Sequence, residues 1–205
     1  MSRPLLITDC DEVLLHMVSH FADWLRDEQG LTFDLECASF ADAVSDSATR
    51  EPVPINRLRP LLGDFFETEM QRQTLVPGAA EALARIGEVA DIVVLTNLPD
   101  LAHSWRVDQL AGHGIRHEVV CNSGGKGVPA REIRDRLGAG TTVFVDDLEV
   151  HHASVAKHAP EVWRLHMIAE PKRARVVPKA GDAHARIDDW PTACDWILAR
   201  FEEQV

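Results

Sequence analysis

The chain has 205 residues, of which 45% are hydrophobic, so it can bury a sizeable core and form one main domain with an insertion. Its formal net charge of -12 disfavours nucleic acid and anionic membranes as main partners, because neither would meet a basic surface. The cysteines are scattered with no C-x-x-C pair, so we expect neither a zinc knuckle nor a disulfide framework. No apolar stretch is long enough to span a membrane, and we expect a cytoplasmic location.

The first predicted strand is followed by two acids. An apolar run at residues 5–8 has the pattern of a buried strand, and Asp9 and Asp11 come directly after it. Strand alternation points both side chains to one face, and curling of the chain could bring them around one point. Two like charges brought together cost free energy unless a cation or a proton lies between them. The pair therefore indicates a metal site or acid/base chemistry.

The segment after this strand is a candidate insertion. Residues 13–30 have apolar residues at helical spacing and predict a helix that ends at Gly30. Between residues 31 and 74 the pattern predicts short helical pieces, broken by Pro52, Pro54 and Pro60.

Strands and helices alternate over the rest of the chain. Apolar runs predict strands at residues 91–95, 118–121, 142–145 and 162–166. Helical spacing predicts helices at residues 79–88 and 101–110, around residues 133–137, up to residue 158 and at residues 192–201. This alternation is typical of an α/β protein with a doubly wound parallel sheet.

Polar residues follow three of these strands. Thr96 and Asn97 follow the second strand, and Asp146 and Asp147 follow a later one. A single acid after a strand is more often a helix N-cap than a catalyst. Three strand ends of this kind favour a functional site, because ligands of open parallel sheets bind at the carboxyl ends of the strands.

These motifs resemble those of the haloacid dehalogenase-like (HAD) hydrolase superfamily, in order and in spacing. The motifs are D-x-D (Asp9, Asp11), a strand-end Thr96, Lys126 and the acidic pair Asp146-Asp147. The resemblance implies a Rossmann-like doubly wound parallel sheet in which the first strand lies between the second- and fourth-motif strands. It also implies a core domain of residues 1–13 and 76–205 with a small inserted α-helical cap of residues 14–75.

The resemblance assigns a role to each motif residue. Asp9 would be the nucleophile that forms an aspartyl-phosphate, and Asp11 the general acid/base. Thr96, Asn97 and Lys126 would bind the phosphate. Mg²⁺ would be held by the Asp9 carboxylate, the Asp11 carbonyl and one or both of the acids Asp146 and Asp147.

An acid at position 11 with an acidic fourth motif resembles the phosphatase branch rather than the dehalogenase branch. The resemblance therefore implies a Mg²⁺-dependent phosphatase acting on a small phosphorylated metabolite. Two alternatives stay open: a phosphate- or metal-binding regulatory module with little catalysis, and a phosphotransferase or mutase. The sequence does not predict an oligomeric state.

Two features depart from the pattern of the superfamily. Glu12 stands where Gly is frequent, and we expect its side chain to face solvent. His151 stands where an acid or Asn often contacts a metal-bound water. With His152 it is either a surface pair or a neutral acceptor of a hydrogen bond from that water.

The sequence does not match the motifs of other phosphate-binding and metal-binding sites at key positions. A P-loop would need Gly at Val120 and Ser or Thr at Gly127, and a cysteine-dependent phosphatase with Cys121 as nucleophile would need Arg at Gly127. The histidines lack the H-x-x-x-H spacing of a zinc site.

Some residues of the predicted cap could reach the substrate. These candidates are His16, His20, Arg50, Arg57 and Arg59. For any one arginine, solvated surface charge is the simpler expectation. Two arginines converging on the site would imply a substrate with a second anionic group.

Overall fold

The structure is a computed structural model that describes residues 2–203. Its strands are β1 Leu5–Thr8, β2 Leu31–Phe33, β3 Val44–Asp46, β4 Asp91–Thr96, β5 Glu118–Cys121, β6 Thr142–Asp146, β7 Trp163–His166 and β8 Ala185–Arg186. Its α-helices are α1 Val18–Gln29, α2 Ile55–Thr68, α3 Ala79–Gly87, α4 His103–Gly112, α5 Gly127–Leu137, α6 Glu149–His158, α7 Pro171–Val176 and α8 Trp190–Glu202. No helix in this part of the chain is both long enough and apolar enough to cross a membrane.

Six strands form one parallel sheet in the order β5-β4-β1-β6-β7-β8. β1 pairs with β4 on one side and with β6 on the other, as the resemblance implies. All four residues of β1 are buried, because helices cover both faces of the sheet. The predicted α/β class with a Rossmann-like parallel sheet is confirmed.

Side-chain alternation along β1 divides the core between the two faces of the sheet. Leu6 joins a cluster with apolar residues of α3 and α8, whereas Leu5 and Ile7 join a second cluster with residues of α5 and α6. Trp190, at the start of α8, is fully buried, and its indole N–H donates to the Val13 carbonyl at 2.8 Å. This contact fixes the turn that follows β1 against the core.

Residues of α1, β2, β3 and α2 pack around a hydrophobic cluster of their own. Phe21 of α1 and Phe65 of α2 lie at its centre, with ring centroids 5.3 Å apart. The expectation of helical pieces alone is wrong here, because β2 and β3 pair as an antiparallel hairpin. α2 also continues through Pro60, where we expected a break. The domain boundaries at residues 14 and 75 stay a prediction.

The first helix begins later than its apolar pattern indicates. α1 begins at Val18 rather than at Val13, because the N–H groups of residues 13–15 all bond the Cys10 carbonyl in a tight turn. Val13 and Leu14 are buried in the core of the sheet domain and do not belong to the apolar face of α1. Two short elements, α7 and β8, were not predicted.

Candidate active site

Three strand ends meet at one edge of the sheet. Because β1 lies between β4 and β6, Asp9, Thr96 and Asp146 stand at the ends of neighbouring strands. The Asp9 N–H donates to the Val145 carbonyl at 2.8 Å and ties the turn after β1 to β6. The sheet therefore brings together residues that are far apart in the sequence.

Lys126 bridges two of the strand-end carboxylates. Its Nζ lies 2.7 Å from Asp9 Oδ2 and 2.7 Å from Asp146 Oδ2, and its side chain is fully buried. Burial alone would lower the pKa of Lys126, but the two carboxylates outweigh burial and hold the pKa above its ordinary value. Lys126 is therefore a fixed positive charge between the two acids.

The glycine-rich turn before α5 positions this lysine. A Cβ atom at Gly127 would overlap the carbonyl group of Ser154 in α6, and the Gly127 N–H donates to the Ser154 hydroxyl at 2.9 Å. Glycine is thus needed because α5 and α6 approach closely at this point.

The three acids at this edge outnumber Lys126, so that their full ionisation would leave an excess of negative charge. Oxygens of Asp9, Asp146 and Asp147 lie within 4.8 Å of one another. Burial raises the pKa of Asp9 to about 7, against the attraction of Lys126. Burial and repulsion from Asp146 and Asp9 raise the pKa of Asp147 well above its ordinary value. Burial also opposes ionisation of Asp146, but Lys126 outweighs it and lowers the pKa of that acid.

The excess charge fits a hard divalent cation, because every donor in the cluster is a carboxylate oxygen. Both oxygens of Asp146 already accept hydrogen bonds, one from Lys126 at 2.7 Å and one from the Leu148 N–H at 2.9 Å. Asp147 lines the cavity above the cluster. Both oxygens of Asp9 are also engaged, by the Cys10 N–H and by Lys126, but Asp9 and Asp147 line the cavity and Asp146 does not. Asp9 and Asp147 are thus the acids best placed to offer oxygens to a cation in the cavity.

Thr96 and Asn97 lie at the same edge but differ in their contacts. The Thr96 hydroxyl is buried, has no hydrogen-bond partner among the described residues and belongs to a residue that lines the cavity. The Asn97 side chain donates to the Gly124 carbonyl at 2.9 Å and accepts from Asn122 at 2.8 Å. Thr96 therefore offers a free hydroxyl to a ligand, whereas the amide of Asn97 holds the neighbouring loop.

Asp11 is held by an arginine that the sequence analysis did not identify. Both of its oxygens accept from Arg106 Nη2, at 2.9 Å and 2.8 Å, and Oδ1 also accepts from Gln73 at 2.9 Å. Arg106 is fully buried and reaches the Cys10 sulfur at 3.2 Å, whereas the side chain of Asp11 is 16% exposed. The Asp11 carboxylate thus lies beside the cavity in a fixed orientation, outside the cluster of three acids.

Glu12 is buried, with 2% of its surface exposed, so the expectation that it faces solvent is wrong. Its Oε1 accepts from the N–H groups of Met17 and Val18 at 2.8 Å and 2.6 Å, and its Oε2 accepts from the Glu170 N–H at 3.2 Å. Glu12 therefore binds the start of α1 and joins it to the segment before α7. Burial outweighs these bonds and raises the pKa of Glu12 to about 7.

His151 and His152 are both buried, so the interpretation as a surface pair is wrong. His151 lines the cavity, and its Nε2 lies 3.3 Å from the Asn97 amide nitrogen. Burial lowers the pKa of His151, so its imidazole is neutral near pH 7. His152 Nε2 donates to the Asp146 carbonyl at 2.9 Å and thereby fixes the backbone of the acidic pair.

A cavity of about 340 Å³ lies above the acids, between the ends of the strands and the predicted cap of residues 14–75, which we call the inserted segment. Its polar lining comes mainly from the strand ends and consists of Asp9, Asp11, Glu12, Thr96, Asn97, Asp147, His151 and Arg173. Its apolar lining consists of Met17, Val18, Phe40, Leu62, Phe66 and Leu148.

None of the five cap residues named from the sequence lines this cavity. Arg50, Arg57 and Arg59 are exposed. His20 Nε2 lies 3.0 Å from the Thr74 hydroxyl. The arginines do not converge on the site, so the argument for a second anionic group on the substrate has no support from them.

Four residues that contact the site were not predicted from the sequence: Arg106, Gln73, Arg173 and His166. His166 Nε2 donates to the Asp147 carbonyl at 2.8 Å and supports the acidic pair from β7. One signal for Arg106 was available: it lies on the same face of α4 as buried Leu110, four residues away.

No family model and no curated protein matches this sequence. Solved structures do match over nearly the whole chain. One is a haloacid dehalogenase-like hydrolase from Burkholderia xenovorans, with 15% identity, a TM-score of 0.62 and coverage of 98% of this chain and 99% of that one.

Two further structures extend the comparison. A HAD hydrolase from Bacillus subtilis, bound to magnesium, has 11% identity, a TM-score of 0.61 and coverage of 96% and 99%. A β-phosphoglucomutase from Thermotoga maritima has 14% identity, a TM-score of 0.58 and coverage of 98% and 100%. At these identities the similarity establishes a shared fold.

Proposed function

The chain has the fold of the haloacid dehalogenase-like hydrolases, and we propose that it is a Mg²⁺-dependent phosphatase that hydrolyses a small phosphorylated metabolite through an aspartyl-phosphate at Asp9. The observation that carries this proposal is the position of the Asp9 carboxylate. It lies at the base of a cavity, against a buried Lys126, within a cluster of acids and beside the unpartnered hydroxyl of Thr96. Phosphoryl transfer needs this combination of a nucleophile and charge neutralisation.

Each residue has a distinct task in the proposed reaction. Asp9 attacks phosphorus, and its orientation is fixed by the Cys10 N–H at 2.7 Å and by Lys126. The Thr96 hydroxyl donates to an equatorial oxygen of the phosphoryl group, and the Lys126 ammonium, which contacts the Asp9 carboxylate, supplies positive charge beside the reacting atoms. In its protonated form Asp11 gives its proton to the leaving oxygen, and the carboxylate that this leaves then removes a proton from the water that hydrolyses the intermediate, which restores the acid. The contacts of Arg106 and Gln73 orient Asp11 for this task.

A bound Mg²⁺ would neutralise charge on the transferred phosphoryl group. We assign Asp9 and Asp147 as its carboxylate ligands, with the Asp11 carbonyl completing the protein donors that the resemblance implies. Asp146 orients Lys126 and accepts from the Leu148 N–H, and it is fully buried and does not line the cavity, so we assign it a mainly electrostatic role in metal binding. The magnesium-bound HAD hydrolase of the same fold supports the choice of metal.

The nucleophile is tested by the variant Asp9→Asn, assayed against an aryl phosphate with Mg²⁺. We expect turnover to fall about 10⁴-fold or more, which corresponds to roughly 5.5 kcal/mol of lost transition-state stabilisation. Asp108→Asn is the matched control, because Asp108 is an exposed acid on α4. Undiminished activity in Asp9→Asn would exclude the proposed intermediate.

Transfer to an acceptor other than water is the second candidate, because one protein with this fold is a β-phosphoglucomutase. Product analysis with a sugar phosphate as both donor and acceptor separates the two reactions. Release of inorganic phosphate supports a phosphatase, and an isomerised sugar phosphate supports a mutase. A regulatory module has weaker grounds, because the departures at Glu12 and His151 that suggested it have structural explanations.

A further inference from the structure

The cavity above Asp9 is divided into a charged floor and an apolar roof. The floor lies at the ends of the strands and contains Asp9, Thr96 and Asp147. The other polar side chains that line the cavity are Asp11, Glu12, Asn97, His151 and Arg173. The roof is formed by apolar side chains of the inserted segment: Met17, Val18, Phe40, Leu62 and Phe66. Leu148, which is 45% exposed, continues the apolar surface down to Asp147.

The cavity is larger than the reacting groups need. Its volume of about 340 Å³ equals that of roughly ten water molecules at about 30 Å³ each. A phosphoryl group and its cation occupy only the floor. The remaining space must take the part of the substrate that carries the phosphate, and that part contacts the roof.

The roof offers almost nothing to a polar substrate. None of its five side chains has a strong hydrogen-bond donor or acceptor. A sugar hydroxyl buried there would lose its water and find no partner, at a cost of about tenfold in binding for each hydroxyl.

Arg173 is the only Arg or Lys among the residues that line the cavity in the described part of the chain. Its guanidinium donates to the Cys37 carbonyl at 2.9 Å and to the Ala38 carbonyl at 3.3 Å, and it lies over the Phe33 ring at 5.9 Å. These contacts join α7 to the inserted segment. Two backbone carbonyls thus already accept from this arginine, so the cavity offers a second anionic group of a substrate only one cation, and that cation is partly engaged.

Building on the proposed phosphatase activity, we infer that the substrate is a phosphate monoester of an apolar alcohol, with a hydrocarbon group that packs under the roof. Sugar phosphates and substrates with two anionic groups are disfavoured. The hydrocarbon gains binding free energy in proportion to the apolar surface that it buries.

The test compares ethyl, butyl and hexyl phosphate with glycerol phosphate and glucose 6-phosphate, all with Mg²⁺. We expect kcat/KM to rise about fourfold per added methylene, so that hexyl phosphate, with four more methylenes, exceeds ethyl phosphate by roughly 250-fold. Glucose 6-phosphate, which is similar in size to hexyl phosphate, should be the poorer substrate by at least a similar factor. Equal or better turnover of glucose 6-phosphate would overturn the inference.

Acetyl phosphate, which is small and activated, separates this inference from the proposed function. Hydrolysis of acetyl phosphate with no preference for longer alkyl chains rejects the apolar substrate and leaves the phosphatase intact. If neither acetyl phosphate nor any monoester is hydrolysed, the proposed function fails, and the inference fails with it.

A pair of neighbouring leucines on α2 provides a matched comparison. Leu61 and Leu62 are both half-buried against the same cluster, but only Leu62 lines the cavity. We expect Leu62→Ser to reduce the ratio of kcat/KM for hexyl over ethyl phosphate at least tenfold, and Leu61→Ser to keep the wild-type ratio. Equal ratios in both variants would show that the roof does not contact the alkyl chain.

A binding measurement avoids dependence on turnover. Calorimetry of Asp9→Asn with Mg²⁺ should give a dissociation constant for hexyl phosphate at least tenfold lower than that for ethyl phosphate. The heat capacity change should be more negative for the longer chain, because more apolar surface is buried. Equal constants and equal heat capacity changes would contradict the inference.

Discussion

Replacing Arg106 by Met removes a buried charge while keeping much of the apolar stem. In the wild type both Asp11 oxygens accept from the guanidinium, at 2.9 Å and 2.8 Å, and Gln73 Oε1 lies 3.4 Å from Nη1. The variant leaves the Asp11 carboxylate next to an apolar side chain and removes a donor from Gln73. We expect Arg106→Met to destabilise the protein by about 3 kcal/mol.

This magnitude follows from the burial of the two partners. Two unit charges about 4 Å apart attract by about 4 kcal/mol at an effective dielectric constant of about 20. Removing one partner of a fully buried pair costs about 3–5 kcal/mol. Arg106 is fully buried, but Asp11 is 16% exposed and can take up water from the cavity, so the lower end of this range applies.

Thermal unfolding measures the effect, and Arg136→Met is the control. For a chain of this length about 3 kcal/mol corresponds to a Tm about 6–12 °C lower. Arg136 bonds Glu118 at 2.6 Å, but both side chains are about half exposed, so its loss should cost about 1 kcal/mol or less. A Tm of Arg106→Met no lower than that of Arg136→Met would refute the reasoning.

Lys126→Met should lower kcat/KM about 10³-fold, because Asp9 and Asp146 lose the ammonium group that lies between them. A kcat/KM within tenfold of the wild-type value would contradict this prediction. Burial lowers the pKa of His152 to about 4 in the folded protein, whereas an unfolded histidine has a pKa of about 6.5. As pH falls below about 6.5, His152 therefore takes up a proton in the unfolded chain but not in the folded one, and the folded protein loses stability. Denaturant titrations from pH 7 to pH 5 should show the wild type losing about 2 kcal/mol relative to His152→Gln, and equal losses would exclude the effect. Mg²⁺ at 100 times its Kd should raise the unfolding free energy by about 2.7 kcal/mol over protein in EDTA. Asp147→Asn should show a much smaller rise in a thermal-shift assay.

The strands of the sheet could be predicted because each one is identified by a short run of consecutive residues. Each central strand is a short apolar run, and β1, β4 and β6 all end in polar residues. The ends of α1 and α2 were harder to predict, because they depend on contacts with distant residues. Val13 reads as the start of a helix, but it is buried in the sheet core and its carbonyl accepts from Trp190. The β2–β3 hairpin has only three residues in each strand, so its pattern is too short to identify.

Some residues of the candidate site could likewise be predicted from the sequence, and others could not. The strand-end residues Asp9, Thr96 and Asp146 lie together, and parallel strands predict that they should. Arg106 and Gln73 could not be placed beside Asp11, because a buried arginine is stable only with its partner, and the partner lies 95 residues away. A sequence pattern that assigns charged residues to the surface fails at such a pair.

Glu12 shows how a departure from a family pattern can be structural. Its φ of 60° lies in the left-handed region, where Gly is favoured, which accounts for the frequent Gly at this position. A side chain there costs about 1 kcal/mol or more. Its carboxylate accepts three N–H groups, from Met17, Val18 and Glu170, and these bonds offset the strain. Glu12 thus connects the loop that carries Asp9 and Asp11 to the start of α1. Because Met17 and Val18 at the start of α1 form part of the cavity roof, the position of that roof depends on the loop that holds the proposed nucleophile.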